Sequence, residues 1–348
     1  MVFLKSFRGG LVEKAKYAVP LRIRFRKRAA KSEGATAWLS RRRLQWSNVQ
    51  AGREMGRSRS DISPCLPLPG QCPSAGNCVL CRPFVKWAGG KSQLLEELLG
   101  RIPRGFVTYY EPFLGGGALL FALQPKKAVA LDINAELINA YWVIKEDVEA
   151  LIRSLRRHVY KKEYYYKIRE ADRRAEYKDW TPLERASRLI YLNKTCYNGL
   201  YRVNAKGFFN VPFGRYVNPT IVDAANLRAC HAVLQQVDIR QGSFEQIEDE
   251  VTGDDFIYFD PPYVPISSTA YFTGYSSQGF DLKMHERLAA LCRRLDKRSV
   301  RFMLSNSAAP LAKDLYRKFR IETVTAARAL NSKGTRRGKI EEVIVRNY

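Results

Sequence analysis

Between Val107 and Asp132 the chain runs strand, glycine loop, helix, strand with hardly a residue to spare, and few folds accept that order. Val107 to Phe113 reads as a strand, Gly115-Gly116-Gly117 as a tight loop, Ala118 to Leu123 as the start of a helix, and Ala128 to Leu131 as a second strand ending at Asp132. A glycine loop followed by an acid at the end of the next strand lets backbone approach a nucleoside while the carboxylate meets ribose hydroxyls. The loop lacks G-x-G-x-x-G spacing, so a smaller adenosine-bearing cofactor suits it better than a dinucleotide. A plain structural turn is the competing reading of the loop alone. From Pro83 onward strands and helices alternate, which predicts a doubly wound α/β domain.

Val237-Asp238-Ile239 and Phe256-Ile257-Tyr258-Phe259 read as further strands, the second fully apolar and followed by Asp260-Pro261-Pro262-Tyr263. That tetrapeptide suits methylation of an exocyclic amine. The nitrogen's lone pair is delocalised into the base and becomes nucleophilic only when acceptors hold its protons. Asp260 and the Pro261 carbonyl are such acceptors, and the prolines fix the backbone that aims them. Tyr263 can stack on a base turned out of its helix. Alone, the tetrapeptide is equally a proline turn with a surface aspartate.

Charge narrows the partner. Lys and Arg number 59 against 34 Asp and Glu, a net charge of +25, which points to a polyanion. Residues 1–82 carry +13 of it and include Arg22 to Arg28 and Arg41-Arg42-Arg43, which interrupt every apolar stretch. No secretory core or membrane span forms. Residues 56–83 are rich in Gly, Pro, Ser and Cys and read as a linker; the arm ahead of them reads as disordered or extraneous, or as an aid to nonspecific nucleic-acid affinity. Cys65, Cys72, Cys78 and Cys81 fall in that linker with a single C-x-x-C and no histidine pair, so no metal is assigned. Cys196, Cys230 and Cys292 lie in helical-looking segments. A reduced, cytoplasmic, monomeric protein is expected.

Phe84 to Ser92 holds Lys86, Trp87, Gly89-Gly90 and Lys91, but Val85 stands where a phosphate loop needs its first glycine. Residues 150–235 form a long basic, aromatic-rich stretch. Thr181-Pro182-Leu183-Glu184 is a capping box with proline at the first helical position, so a helix starts there, turns Leu189, Ile190 and Leu192 inward and ends near Cys196. Arg202 to Asn210 reads as a hairpin turning at Ala205 to Gly207.

Taken in order, W-A-G-G-K, E-P-F-L-G-G-G, L-D-I-N, N-K-T-C-Y-N-G-L-Y-R, G-x-F-N-V-P-F-G and D-P-P-Y resemble the Dam-type DNA adenine N6-methyltransferases over residues 83–348. The resemblance implies S-adenosylmethionine as cofactor and double-stranded DNA as partner. It assigns Trp87, Lys91, Glu111, Gly115, Gly117, Asp132, Ser243, Phe244 and Asp260 to the cofactor, with Lys91 on its carboxylate and Asp132 on its ribose. Catalysis falls to Asp260, Pro261, Pro262 and Tyr263. Lys86, Tyr197, Asn198, Leu200, Arg202 and Lys206 fall to DNA, Tyr197 wedging into the gap of a flipped base and Arg202 making a bidentate guanine contact.

The expected architecture is a Rossmann-like sheet, residues 83–149 and 236–348, with a mainly helical recognition insertion over 150–235 that carries the hairpin. The expected activity is methylation of adenine N6, with GATC as target. A related methyltransferase acting on cytosine N4, RNA or protein is the first alternative. A noncatalytic DNA-binding protein is the second.

Overall fold

The computed structural model describes residues 81–264, 280–327 and 339–348. The arm and most of the linker, with Cys65, Cys72 and Cys78, lie outside the described residues. Among the described residues, Arg82 is already tied to the helical layer. The Arg82 N–H bonds the Asn226 side chain at 3.0 Å, and the Asn226 amide donates back to the Arg82 carbonyl at 2.9 Å.

Among the described residues seven strands form one sheet: β1 (Tyr109–Glu111), β2 (Ala128–Asp132), β3 (Val237–Gln241), β4 (Phe256–Phe259), β5 (Arg301–Ser307), β6 (Arg320–Ala327) and β7 (Lys339–Arg346). Their spatial order is β3-β2-β1-β4-β5-β7-β6. The first five are parallel, and β7 inserts antiparallel between β5 and β6. β1 is shorter than expected, because Pro112 has no N–H to continue the ladder after Glu111.

From β1 the chain winds outward to β3, then returns to β4 and winds the other way. The two halves part between the C-terminal ends of β1 and β4, where open α/β sheets bind their ligands. Alternation along each strand divides the core. Ala128 and Ala130, Phe256 and Tyr258, and Met303 join one apolar cluster; Val129 and Leu131, Ile257 and Phe259, and Phe302 and Leu304 join the other. Strands buried on both faces read as unbroken apolar runs, hence Phe256–Phe259. The first face is covered by α1 (Leu95–Leu99), α2 (Ala118–Leu123), α3 (Ala135–Leu155), α5 (Pro182–Thr195) and α6 (Ala224–Leu234). The second is covered chiefly by α7 (Leu282–Lys297), whose Leu288, Leu291 and Leu295 are fully buried. α4 (Lys162–Arg169) and α8 (Pro310–Leu315) complete the described helices.

Helix α3 breaks at Asp147, whose backbone leaves helical geometry while its carboxylate caps the Ala150 N–H at 2.9 Å. The helix therefore restarts beside the boundary expected at 149/150. α5 begins at the foreseen capping box: Glu184 accepts from the Thr181 N–H at 2.8 Å, and Thr181 Oγ1 accepts from the Glu184 N–H at 3.2 Å. Leu189 and Ile190 pack toward the sheet, whereas Tyr191 and Leu192 join a smaller aromatic core with Tyr165, Phe209 and Val211. α5 thus belongs to both the sheet layer and the insertion. Cys196 lies just beyond its last turn rather than within it; Cys230 and Cys292 are helical. No helix among the described residues is long and apolar enough to cross a membrane.

Candidate active site

β4 delivers Asp260 to the sheet's C-terminal edge, where its side chain keeps 18% exposure. Lys91 approaches from the N-terminal segment, its ammonium 2.7 Å from Asp260 Oδ1. Ser305, on neighbouring β5, donates its hydroxyl to the same oxygen at 3.0 Å. Among the described residues both partners of the carboxylate therefore meet Oδ1. Burial pushes the Asp260 carboxyl above its usual range, while the Lys91 charge and the hydrogen bonds from Lys91 and Ser305 pull the other way.

The segment that follows is fastened to β5 and β7. Val264 donates its N–H to the Asn306 side chain at 3.0 Å and accepts from the Ser307 hydroxyl at 2.6 Å. The Tyr263 hydroxyl bonds the Glu342 carboxylate, and the Lys91 ammonium lies 4.7 Å from the Tyr263 ring centre. Pro261 is buried and Pro262 exposed.

Across the gap, β1 ends at Glu111 and β2 at Asp132. Glu111 is buried; it accepts from the Tyr109 hydroxyl at 2.8 Å, and burial raises its carboxyl to about 8. Asp132 accepts from the N–H groups of Gly115 and Asn134, each at 2.9 Å, which fixes both of its oxygens at the strand end. Gly115 and Gly117 have φ of 47° and 67°, where a side chain is strained. A Cβ on Gly117 would also come within 2.7 Å of the Tyr141 hydroxyl, which bonds the Gly115 carbonyl at 3.0 Å. Trp87 lies against this loop, since a Cβ on Gly115 would approach its ring to 3.0 Å. Ser243 starts a 3-10 turn after β3, but the Phe244 ring is buried and stacks on Phe113 with centres 5.4 Å apart.

The residues assigned to DNA cluster beyond the C-terminal end of α5. Tyr197 and Asn198 are exposed, Leu200 is half-buried, and Asn198 and Gly199 have φ of 57° and 65°. The loop is pinned to the later F-N-V-P-F-G segment by Tyr197 N–H to the Pro212 carbonyl and Gly214 N–H to the Thr195 carbonyl, both 2.8 Å. Arg202 is exposed at the base of the hairpin, its Nε donating to Asn210 Oδ1 at 2.7 Å. Lys206 sits at the tip, where Asn204 closes the turn by accepting from the N–H groups of Lys206 and Phe208. The Lys86 ammonium lies 5.3 Å from the Tyr216 ring centre.

Sequence reasoning gave no role to Ser305, Glu342, Asn193 or Tyr201. Ser305 and Glu342 sit on late strands and meet the tetrapeptide through sheet pairing; no local pattern marks Ser305, while Glu342 stands in Glu341-Glu342-Val343, a stretch within the resemblance that carried no role. Asn193 and Tyr201 stood inside a quoted motif, which was the available signal.

Residues 87–330 match the model of the D12 class N6 adenine-specific DNA methyltransferases. The Type II methyltransferase M1.LlaDCHI of Lactococcus lactis subsp. cremoris is 45% identical over 276 residues, covering 78% of this chain and 97% of that protein. The Type II methyltransferase M.MjaIII of Methanocaldococcus jannaschii is 43% identical over 287 residues, 77% of this chain and 99% of the other. The DNA adenine methylase of Escherichia coli K12 is 32% identical over 273 residues, 76% and 94%. With the family match spanning the glycine loop, the loop after α5 and the tetrapeptide alike, this chain belongs to the D12 class N6 adenine-specific DNA methyltransferases.

Proposed function

We propose that the chain carries a methyl group from S-adenosylmethionine to adenine N6 in duplex DNA, within GATC. The observation that carries this reading is the Asp260 carboxylate, fixed at the sheet's switch point through one oxygen by Lys91 and Ser305.

The residues present fit the cofactor. The glycine loop carries its backbone through left-handed turns beside Asp132, Asp132 offers a fixed anion to a diol, and Lys91 and Glu111 offer a cation and an acid for an amino-acid end. The cofactor supplies an electrophilic methyl group, so positioning and desolvation are the main catalytic contributions. Asp132 orients the ribose, while Gly115 and Gly117 admit the chain to close range.

Asp260 Oδ2 and the Pro261 carbonyl accept the two amino protons of a flipped adenine, freeing the nitrogen lone pair for attack. Lys91 and Ser305 hold Oδ1 and thereby aim Oδ2. The proton shed by the methylated amine passes to the Asp260 carboxylate, whose proton affinity burial increases. Tyr263, tied to Glu342, presents its ring to the base.

Arg202 reads a guanine, with Asn210 orienting its guanidinium, and Tyr197 fills the space left by the flipped base. Leu200 and Asn198 line the same loop, while Lys86 and Lys206 approach phosphate. Incubating the protein with labelled S-adenosylmethionine and a random-sequence duplex library, then mapping modified bases, should place the label on adenine N6 at GATC. Label on cytosine, label on RNA in preference to duplex DNA, or adenine label without GATC would each overturn the corresponding part.

A further inference from the structure

The backbone of Lys86 is held by one buried side chain. Asn193, near the end of α5 and 2% exposed, accepts from the Lys86 N–H at 2.8 Å and donates to the Lys86 carbonyl at 2.8 Å. Its second amide proton goes to the Gly199 carbonyl at 2.9 Å. The polar atoms of this one amide thus bind a residue of the N-terminal segment and a residue of the reading loop. The fit is close on the loop side, where a Cβ on Gly199 would fall 2.5 Å from the Lys86 side chain.

The next residue extends the link. Trp87 lies against Gly115 of the cofactor loop on one side and stacks on Tyr201 of the reading loop on the other, ring centres 5.0 Å apart and planes 24° apart. Lys86 and Trp87 therefore touch the cofactor loop, the reading loop and, through Tyr216, the segment that pins it. Trp87 thus bridges the glycine loop and Tyr201, while the Asn193 amide ties the preceding Lys86 to Gly199.

We propose that Lys86-Trp87 is a joint through which cofactor occupancy and DNA reading strengthen each other, and that Asn193 is the positioning residue that holds it. This rests on the cofactor and DNA assignments above. Linkage makes the effect reciprocal: the factor by which duplex tightens cofactor must equal the factor by which cofactor tightens duplex.

The test is calorimetry with the full chain, S-adenosylhomocysteine as the cofactor probe, and a duplex carrying a site that the wild-type protein methylates. Each affinity is measured with and without the other ligand. We expect coupling on the order of tenfold in the wild type. Asn193→Asp keeps an acceptor for the Lys86 N–H but loses both donated bonds, and Gly199→Ala strains the same joint from the loop side. Both should bring the coupling within about twofold of none while the probe still binds. Absence of coupling in the wild type overturns the proposal, as does full coupling in either variant that stays folded. Failure of the probe to bind the wild type at all would instead remove the cofactor assignment on which the joint depends, and the joint with it.

Discussion

Lys91 places its ammonium 2.7 Å from Asp260 Oδ1, so the acid at the centre of the site is built with its counter-ion in contact. In the proposed mechanism the carboxylate is the working form, so activity should fall as pH drops through its raised value. Lys91→Met removes the charge that opposes burial, so the acidic limb of single-turnover methyl transfer should move to higher pH. Cofactor affinity measured alongside separates this from a role in holding the cofactor's carboxylate. An unchanged limb with weakened cofactor binding would assign Lys91 to the cofactor instead.

Asp260→Ala should abolish methyl transfer and leave DNA binding largely intact. Asp260→Asn retains an oxygen that can accept, so traces of activity should persist. Turnover at the wild-type rate by the alanine variant would sink the mechanism.

Glu111 gives a stability signature. Its carboxyl is raised from 4.5 to about 8, chiefly by burial. A carboxyl raised on folding contributes stability that is full below the unfolded value and lost as pH climbs through the folded one. Glu111→Gln keeps an acceptor for the Tyr109 hydroxyl without the charge. Relative to wild type, the variant should gain stability steadily between about pH 5 and 8. Urea titrations of both proteins across that range give the difference directly; a constant offset would mean that Glu111 is not held protonated.

Asp132→Ala should weaken cofactor binding by about 1.5–3 kcal/mol, the usual worth of hydrogen bonds to a charged group. The Gly115 and Asn134 N–H groups also lose their acceptor. Calorimetry showing equal affinity would remove Asp132 from the ribose role.

Arg202→Ala should relax preference at one base pair, with ~1–3 kcal/mol of discrimination lost, and Asn210→Ala should give a weaker form of the same change. Lys206→Ala should instead weaken binding evenly across sequences and lower the salt slope by about one unit. Methylation profiles over a random duplex library separate the two patterns. An Arg202→Ala profile identical to wild type excludes that arginine from base reading.

Deleting residues 1–80 should leave an active enzyme with shallower salt dependence, since the removed stretch is strongly basic. Extending the deletion through Arg82 removes both hydrogen bonds to Asn226 and should cost about 1–2 kcal/mol more. Chemical denaturation of the two truncated proteins should rank them in that order.

Local chemistry made several elements around the candidate site legible in the sequence. The run Phe256–Phe259 read as a strand covered on both faces, Thr181-Pro182-Leu183-Glu184 could satisfy the first turn of a helix within four residues, and Gly115 and Gly117 supplied the left-handed backbone of the loop after β1. Each of these depends on neighbours in the chain, so the pattern of residues was enough. The partners of the site were decided elsewhere. Ser305 reaches Asp260 because β5 pairs with β4, and Glu342 reaches Tyr263 because β7 slots between β5 and β6. Asn193 meets Lys86 across 107 residues, and Lys91 meets Asp260 across the switch point of the sheet. Strand order and helix packing set those encounters, and neither is written in the spacing of residues along the chain.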